Sequence, residues 1–164
     1  MKRAQYAGRD FRRAVNIEDL RRMARRRLPN FSFEYVEGGS EDELALRRNR
    51  DVFERIAWVP RTLASVGTPD LATEILGDSC HLPLVIAPTG FNGLLWPQGD
   101  LALAKAAADA GIPFTLSTVS NYPVAKLAAE VPGRTWFQLY PMKEAKIIDR
   151  LVDRPADLPG ALDR

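Results

Sequence analysis

The chain of 164 residues contains one cysteine, Cys80, and one histidine, His81. A lone cysteine excludes an internal disulfide and a cysteine-based metal cluster, so no metal site is expected. The two residues are adjacent, but neighbours in a strand or turn point apart, and a catalytic Cys/His pair normally assembles from distant parts of a chain. No nucleophilic pair is therefore expected from them. Long apolar runs are missing too: the longest stretch without Asp, Glu, Lys or Arg, residues 79–99, is broken by Pro83, Pro88 and Pro97 and by polar residues, unlike the roughly 20 apolar residues that span a bilayer, and the amino end has no apolar core of signal-peptide length. The location this suggests is the cytoplasm, with peripheral contact at the inner face of the membrane left open. Neither G-x-G-x-x-G nor G-x-x-x-x-G-K-[ST] occurs, which removes the main support for folds that cradle a phosphate in the first strand-to-helix turn.

The hydrophobic content of 46% fits a globular chain, and the length suffices for one domain with a sizeable core. Net charge is only +2, which by itself requires neither nucleic acid nor a membrane as partner. Its distribution is uneven, because residues 1–30 carry +7 and the remainder −5. A solvated helix face behind a flexible basic leader, residues 1–15, accounts for this excess. No aromatic-interleaved basic patch accompanies it, so nucleic acid is not an expected partner.

After the leader, Asn16 can cap an amphipathic helix, "IEDLRRMARRRL", stopped by Pro29. "NFSFEYVEGG" reads as a short helix or turn ending in two glycines. Ser40 and Glu43 make an S-x-x-E capping box, which predicts a helix starting at Ser40 with apolar positions Leu44, Leu46, Val52, Phe53 and Ile56. Residues 58–81 read as an irregular connector with one short strand near Ala72–Ile75. Beyond it strands and helices alternate: "LPLVIAP", then "PQGDLALAKAAADAG"; "IPFTLST", then "YPVAKLAAEV"; "RTWFQLY", then "KEAKIIDRLVD". Successive strand–helix units predict a parallel sheet covered by helices. With phosphate-loop motifs absent, an α/β fold of the (β/α)8 barrel type is favoured over a doubly wound sheet, and three units make it an incomplete barrel.

In a barrel, function collects at the carboxyl ends of the strands, here Pro88-Thr89-Gly90, Ser117-Thr118 and Gln138-Leu139-Tyr140. Each end closes an apolar strand with a hydroxyl or an amide, neutral groups that donate and accept hydrogen bonds. Such a lining suits a flat ligand with a polar rim, and Gly90 permits close approach because it has no Cβ. Equally, Thr89 and Ser117 could serve only to satisfy turn backbones.

"FEYVEGGSEDELALRRN", "PLVIAPTGFNGLLWPQGDLALAKAAADAGIPFTLSTVSN" and "WFQLY", in this order and spacing, resemble the FMN-dependent α-hydroxy-acid dehydrogenases and oxidases. The likeness runs from about Ile17 to about Leu151 and is strongest to the mandelate-oxidising members, with the L-lactate dehydrogenases next. It implies a β/α barrel holding FMN at its carboxyl-end face and oxidation of a 2-hydroxy acid to the 2-keto acid. Carried over by position, Pro88, Thr89 and Gly90 would line the flavin ring, and Ser117 and Gln138 would bond its polar rim. Tyr35 would bind the substrate carboxylate, and Tyr140 the substrate hydroxyl or carboxylate. Gly90 stands where members that use oxygen directly often carry Ala, which leans towards a dehydrogenase whose electron acceptor is unknown. Val119 stands where short-chain hydroxy-acid oxidases carry a bulky aromatic, which leaves room for a larger substrate side chain.

The likeness also implies what should be missing. The family's general base is a histidine in an H-G-G motif, which does not occur here, and neither does its phosphate-binding segment. No catalytic residue is therefore assigned, and the chain is expected to be an amino-terminal portion, inactive alone. From about residue 154 the sequence "RPADLPGALDR" fits neither the third helix nor a fourth strand. A carboxyl-terminal partner chain, making a split flavoenzyme, a homo-oligomer and a non-catalytic interaction module stay open as alternatives.

Overall fold

The computed structural model describes residues 8–63 and 67–156, which fall into two units divided after residue 65. Residues 1–7 of the basic leader and 157–164 of the tail lie outside the described residues.

The amino-terminal unit is helical. A single 3-10 turn, Phe11–Arg13, is capped by Asp10, whose Oδ1 accepts from Arg12 N. Helix α1, Ile17–Arg27, begins as the sequence predicts: Asn16 Oδ1 accepts the Asp19 amide at 2.8 Å. Asp19, buried in the first turn, reaches back to accept the Val15 amide at 3.0 Å, so two donors at the helix start are satisfied reciprocally. Helix α2, Asn30–Glu37, buries Ser32 and Phe33. The guanidinium of Arg25 stacks 4.7 Å from the centre of the Phe33 ring and pairs with Glu34 at 2.7 Å. Arg21 pairs with Glu18 and Glu37, and Arg22 with Asp19, so these α1 cations face carboxylates of their own unit.

Helix α3, Leu44–Glu54, corrects one expectation. It starts four residues after Ser40, because Glu41 and Glu43 adopt left-handed backbone (φ 48° and 56°) that a helix cannot include. Glu43 is the cap itself, and its carboxylate accepts the Gly39 amide at 3.1 Å. The helix buries no residue; Leu44, Leu46, Val52, Phe53 and Ile56 are all exposed.

The second unit opens with an antiparallel hairpin, β1 Thr73–Ile75 and β2 Asp78–Cys80, in the register Thr73↔Cys80, Glu74↔Ser79 and Ile75↔Asp78. The two-residue loop, Leu76-Gly77, has positive φ at both positions (52° and 84°), the turn whose twist matches the strands. A single strand near residues 72–75 was expected; its partner β2 was not. Cys80 is buried and His81 exposed, as their adjacency predicts.

Three parallel segments follow. Strand β3, Phe114–Ser117, is buried along its length and pairs in parallel with β4, Thr135–Gln138. On its other side β3 meets Ile86, whose N–H donates to Pro113 O and whose carbonyl accepts from Thr115 N, both at 3.0 Å. The strand expected over Leu82–Pro88 is thereby reduced to one bridging residue. Pro83 and Pro88 have no N–H to give a ladder, and Leu84 and Val85 are exposed rather than buried on both faces. Helix α4, Gly99–Ala110, packs on β3, and helix α5, Val124–Glu130, follows Pro123. Leu101, Ala104, Ala107, Phe114, Leu116, Tyr122, Leu127 and Val131 form the core. Gly111 closes α4 at φ 65°, and a Cβ there would come within 2.3 Å of His81 Nδ1, so glycine serves both the left-handed turn and the seat of the imidazole. Helix α6, Ala145–Ala156, includes Arg154, Pro155 and Ala156, where no helix was expected. The segments run in chain order, Ile86, β3, β4, as a β/α barrel would order them, and among the described residues no closed barrel forms.

Candidate flavin-facing site at the strand ends

The parallel register places Ser117 directly opposite Gln138 at the carboxyl ends of β3 and β4. Ser117 is buried and Gln138 half-buried. The Ser117 hydroxyl donates to Gln138 Oε1 at 3.3 Å, and the Thr118 amide donates to the same oxygen at 3.3 Å. With its carbonyl oxygen thus engaged, the Gln138 NH2 is the group that side chain has left to offer a ligand. Thr118 ties the next residues together: its hydroxyl donates to Gln138 O and accepts from Tyr140 N at 3.1 Å. The Tyr140 side chain is half exposed beyond this joint.

Pro88 and Thr89 are exposed and Gly90 half-buried at the end of the Ile86 segment. Thr89 does more than satisfy its own turn. Its hydroxyl donates to Asn92 Oδ1 at 2.9 Å, and Asn92 Nδ2 returns a bond to Thr89 O at 3.3 Å. Asn92 Nδ2 also donates to Asp100 Oδ1 at 2.7 Å, and Ser120 Oγ donates to Asp100 Oδ2 at 2.7 Å. Asp100 therefore links the loop after the Ile86 segment to the loop after β3. Two backbone amides reinforce the link: Phe91 N donates to the backbone Val119 O at 3.2 Å, and Gly93 N to the side-chain Asn121 Oδ1 at 3.2 Å.

Pro88, Thr89, Gly90, Ser117, Gln138 and Tyr140 thus all lie at the strand ends of the second unit. Tyr35 lies on α2 of the amino-terminal unit, 58% exposed, and its assignment rests on the resemblance alone. Thr118 was named among the strand ends without a role of its own, and Asn92, Asp100 and Ser120 were missed. The signal available was Asp100, a single carboxylate opening an otherwise alanine- and leucine-rich helix. His81 is at the opposite end of the sheet: its N–H donates to Gly111 O, before β3 begins. It does not reach the strand ends.

The lining fits the ring portion of a flavin. Hydrogen-bonding groups of adjacent parallel strands sit side by side, the side chains of Thr89, Ser117 and Gln138 are neutral, and Gly90 has no Cβ to bar a close approach. The charged side chains beside these ends are the buried, doubly hydrogen-bonded Asp100 in the first turn of α4 and the exposed Lys143 and Glu144 after β4.

The second unit is a parallel α/β arrangement whose strand segments follow chain order, as in barrel-type folds. Comparison with known proteins narrows this: the FMN-dependent dehydrogenase family model matches residues 24–160, and the chain belongs to that family, whose cofactor is FMN. It is similar to (S)-mandelate dehydrogenase of Pseudomonas putida, 50% identical over 125 residues covering 76% of this chain and 32% of that protein. L-lactate dehydrogenase of Allorhizobium ampelinum is 40% identical over 136 residues, 83% of this chain and 36% of that protein. The crystal structure of a soluble mutant of the membrane-associated (S)-mandelate dehydrogenase from Pseudomonas putida superposes with a TM-score of 0.80 at 47% identity, covering 85% of this chain and 40% of that one. The chain spans about a third of the length of the curated relatives it matches. No helix among the described residues is long and apolar enough to cross a membrane.

Proposed function

We propose that the strand ends of this chain form the ring-facing wall of an FMN site that oxidises a 2-hydroxy acid of mandelate or lactate type to the 2-keto acid. The observation that carries this reading is the Ser117–Gln138 pair in register on adjacent parallel strands. FMN held there supplies the acceptor for the two electrons that leave the substrate carbon. In this reading Pro88, Thr89 and Gly90 line the ring, and Ser117 and Gln138 bond its rim. Tyr35 and Tyr140 hold the substrate carboxylate or hydroxyl, tasks a phenol performs without adding a competing charge. The absence of Cβ at Gly90 and the modest volume of Val119 favour a dehydrogenase acting on a substrate with a larger side chain.

Turnover also needs a base to take the substrate proton; among the described residues His81, the one histidine of the chain, packs against Gly111 and not at the strand ends. We therefore infer an incomplete barrel that does not turn over alone. Exposed Leu84 and Val85 beside the Ile86 segment favour, as a second reading, one half of a split flavoenzyme completed by another chain. A cytoplasmic location with peripheral contact at the inner face of the membrane fits either reading.

The test is a chimera in which residues 24–151 replace the matching segment of (S)-mandelate dehydrogenase. A yellow protein that oxidises mandelate is the expected result. A chimera that folds but remains colourless would refute the flavin wall, and a yellow chimera without turnover would refute the substrate assignment.

A further inference from the structure

We propose that Asp100 is a positioning residue that locks the Pro88–Gly90 wall to the loop following β3. The role rests on the flavin-wall reading for its purpose, but its geometry is independent of it. Asp100 is 2% exposed, and both carboxylate oxygens are used: Oδ1 by Asn92 Nδ2 and Oδ2 by Ser120 Oγ, each at 2.7 Å. Asn92 is also buried, and through it the link passes to both the hydroxyl and the carbonyl of Thr89. Ser120 accepts the Tyr122 amide at 2.9 Å and so fixes the turn that leads into α5. One carboxylate thereby sets the spacing between two loops that leave neighbouring strands.

Two further observations show that the spacing is enforced. Phe91 and Gln98, neither a glycine, hold left-handed backbone at φ 54° and 55° on either side of this network. Such residues persist only where the surroundings over-determine them. Gly99 is pressed against Asn92, so that a Cβ would lie 2.9 Å from Asn92 O, and the Leu95 and Trp96 amides both donate to that carbonyl at 3.0 Å. The loop is wound around Asn92, and Asn92 is anchored by Asp100. A charged acceptor is the suitable anchor, because it strengthens both bonds and is favoured in the first turn of α4.

Amide hydrogen exchange on the full chain tests this without any ligand. In Asp100→Asn, which keeps the volume and loses one acceptor, exchange of the Phe91 and Gly93 amides should accelerate about tenfold while the Thr115 amide, bonded within the sheet, is unchanged. Ser120→Ala should reproduce the effect, and Asp109→Asn, an exposed carboxylate on the same helix, should not. An equal acceleration at all three amides, or none at Phe91 and Gly93, overturns the proposal, as does a wild-type chain in which those two amides are unprotected. FMN titration of the same proteins separates the two readings. Weaker binding by Asp100→Asn ties the lock to the flavin, whereas a wild-type chain that binds no FMN refutes the wall and leaves the exchange result to decide the lock.

Discussion

Arg134 and Asp78 join two elements that are 56 residues apart in the chain: Nη2 of Arg134, at the mouth of β4, lies 2.5 Å from Oδ1 of Asp78 on the hairpin strand β2. The pair pins the hairpin to the amino-terminal edge of the sheet, opposite the strand ends that carry the candidate site. The second Asp78 oxygen, Oδ2, is buried and has no hydrogen-bond partner. Arg134 is therefore the side chain that offsets a carboxylate with little access to water.

From this it follows that Arg134→Ala destabilises the second unit more than an exposed pair would, by about 1–2 kcal/mol, because it strands the Asp78 charge. Asp78→Asn combined with Arg134→Ala should recover part of that loss. Urea unfolding of the two single variants and the double variant measures it, and strictly additive losses would show that the pair is not coupled.

Leu76 is the weak point of the hairpin. It occupies the first of two left-handed positions and is 81% exposed, so a γ-branched side chain there is strained without being buried. Leu76→Asn should stabilise the chain by about 0.5–1 kcal/mol, since Asn adopts this conformation readily and Asn-Gly is the preferred pair for the turn. A rise in Tm is the expected readout, and an unchanged or lower Tm would mean the turn is not of this type in solution.

Tyr122 gives the chain an alkaline limit. Burial raises its phenol above the ordinary value of 10.0, and the hydrogen bond to Glu130 at 2.9 Å raises it further. Its neutral form is thus favoured in the folded chain. That stabilisation is complete below the unfolded value of 10.0 and is lost as pH rises through the higher folded value. Tyr122→Phe should be less stable at neutral pH, through loss of the bond to Glu130, but its stability should fall less steeply above pH 10. Denaturant midpoints measured across that range decide it; parallel curves for the two proteins would contradict the shift.

Much of this was legible from local signals. Asn16 and Gly111 mark the start of α1 and the end of α4 because capping acts through the nearest turn. Strand β3 was readable because its apolar run is bounded by Pro113 and Ser117 and is in fact buried. The run at Leu82–Pro88 misled for the opposite reason: its composition suits a buried strand, but two prolines leave only Ile86 to pair. At Ser40 the capping-box pattern is present, but the backbone turns left-handed at Glu41 and Glu43, and Glu43 reaches back to Gly39 from outside the helix. Ser117 and Gln138 could be nominated from the strand ends, whereas Asp100 offered only its place at the start of an apolar helix and nothing that pointed to its partners. Its partners lie 8 and 20 residues away, and only the folded chain brings them to one carboxylate.

The flavin wall itself is tested most directly by titrating the full chain with FMN and, separately, with riboflavin, following quenching of flavin fluorescence. Because Ser117 and Gln138, which carry the reading, would bond the ring that the two ligands share, both ligands should bind. Gln138→Leu should weaken both by about tenfold, as expected for loss of a half-buried hydrogen-bonding partner. Failure of the wild-type chain to quench either flavin, or equal binding by Gln138→Leu, would contradict the account.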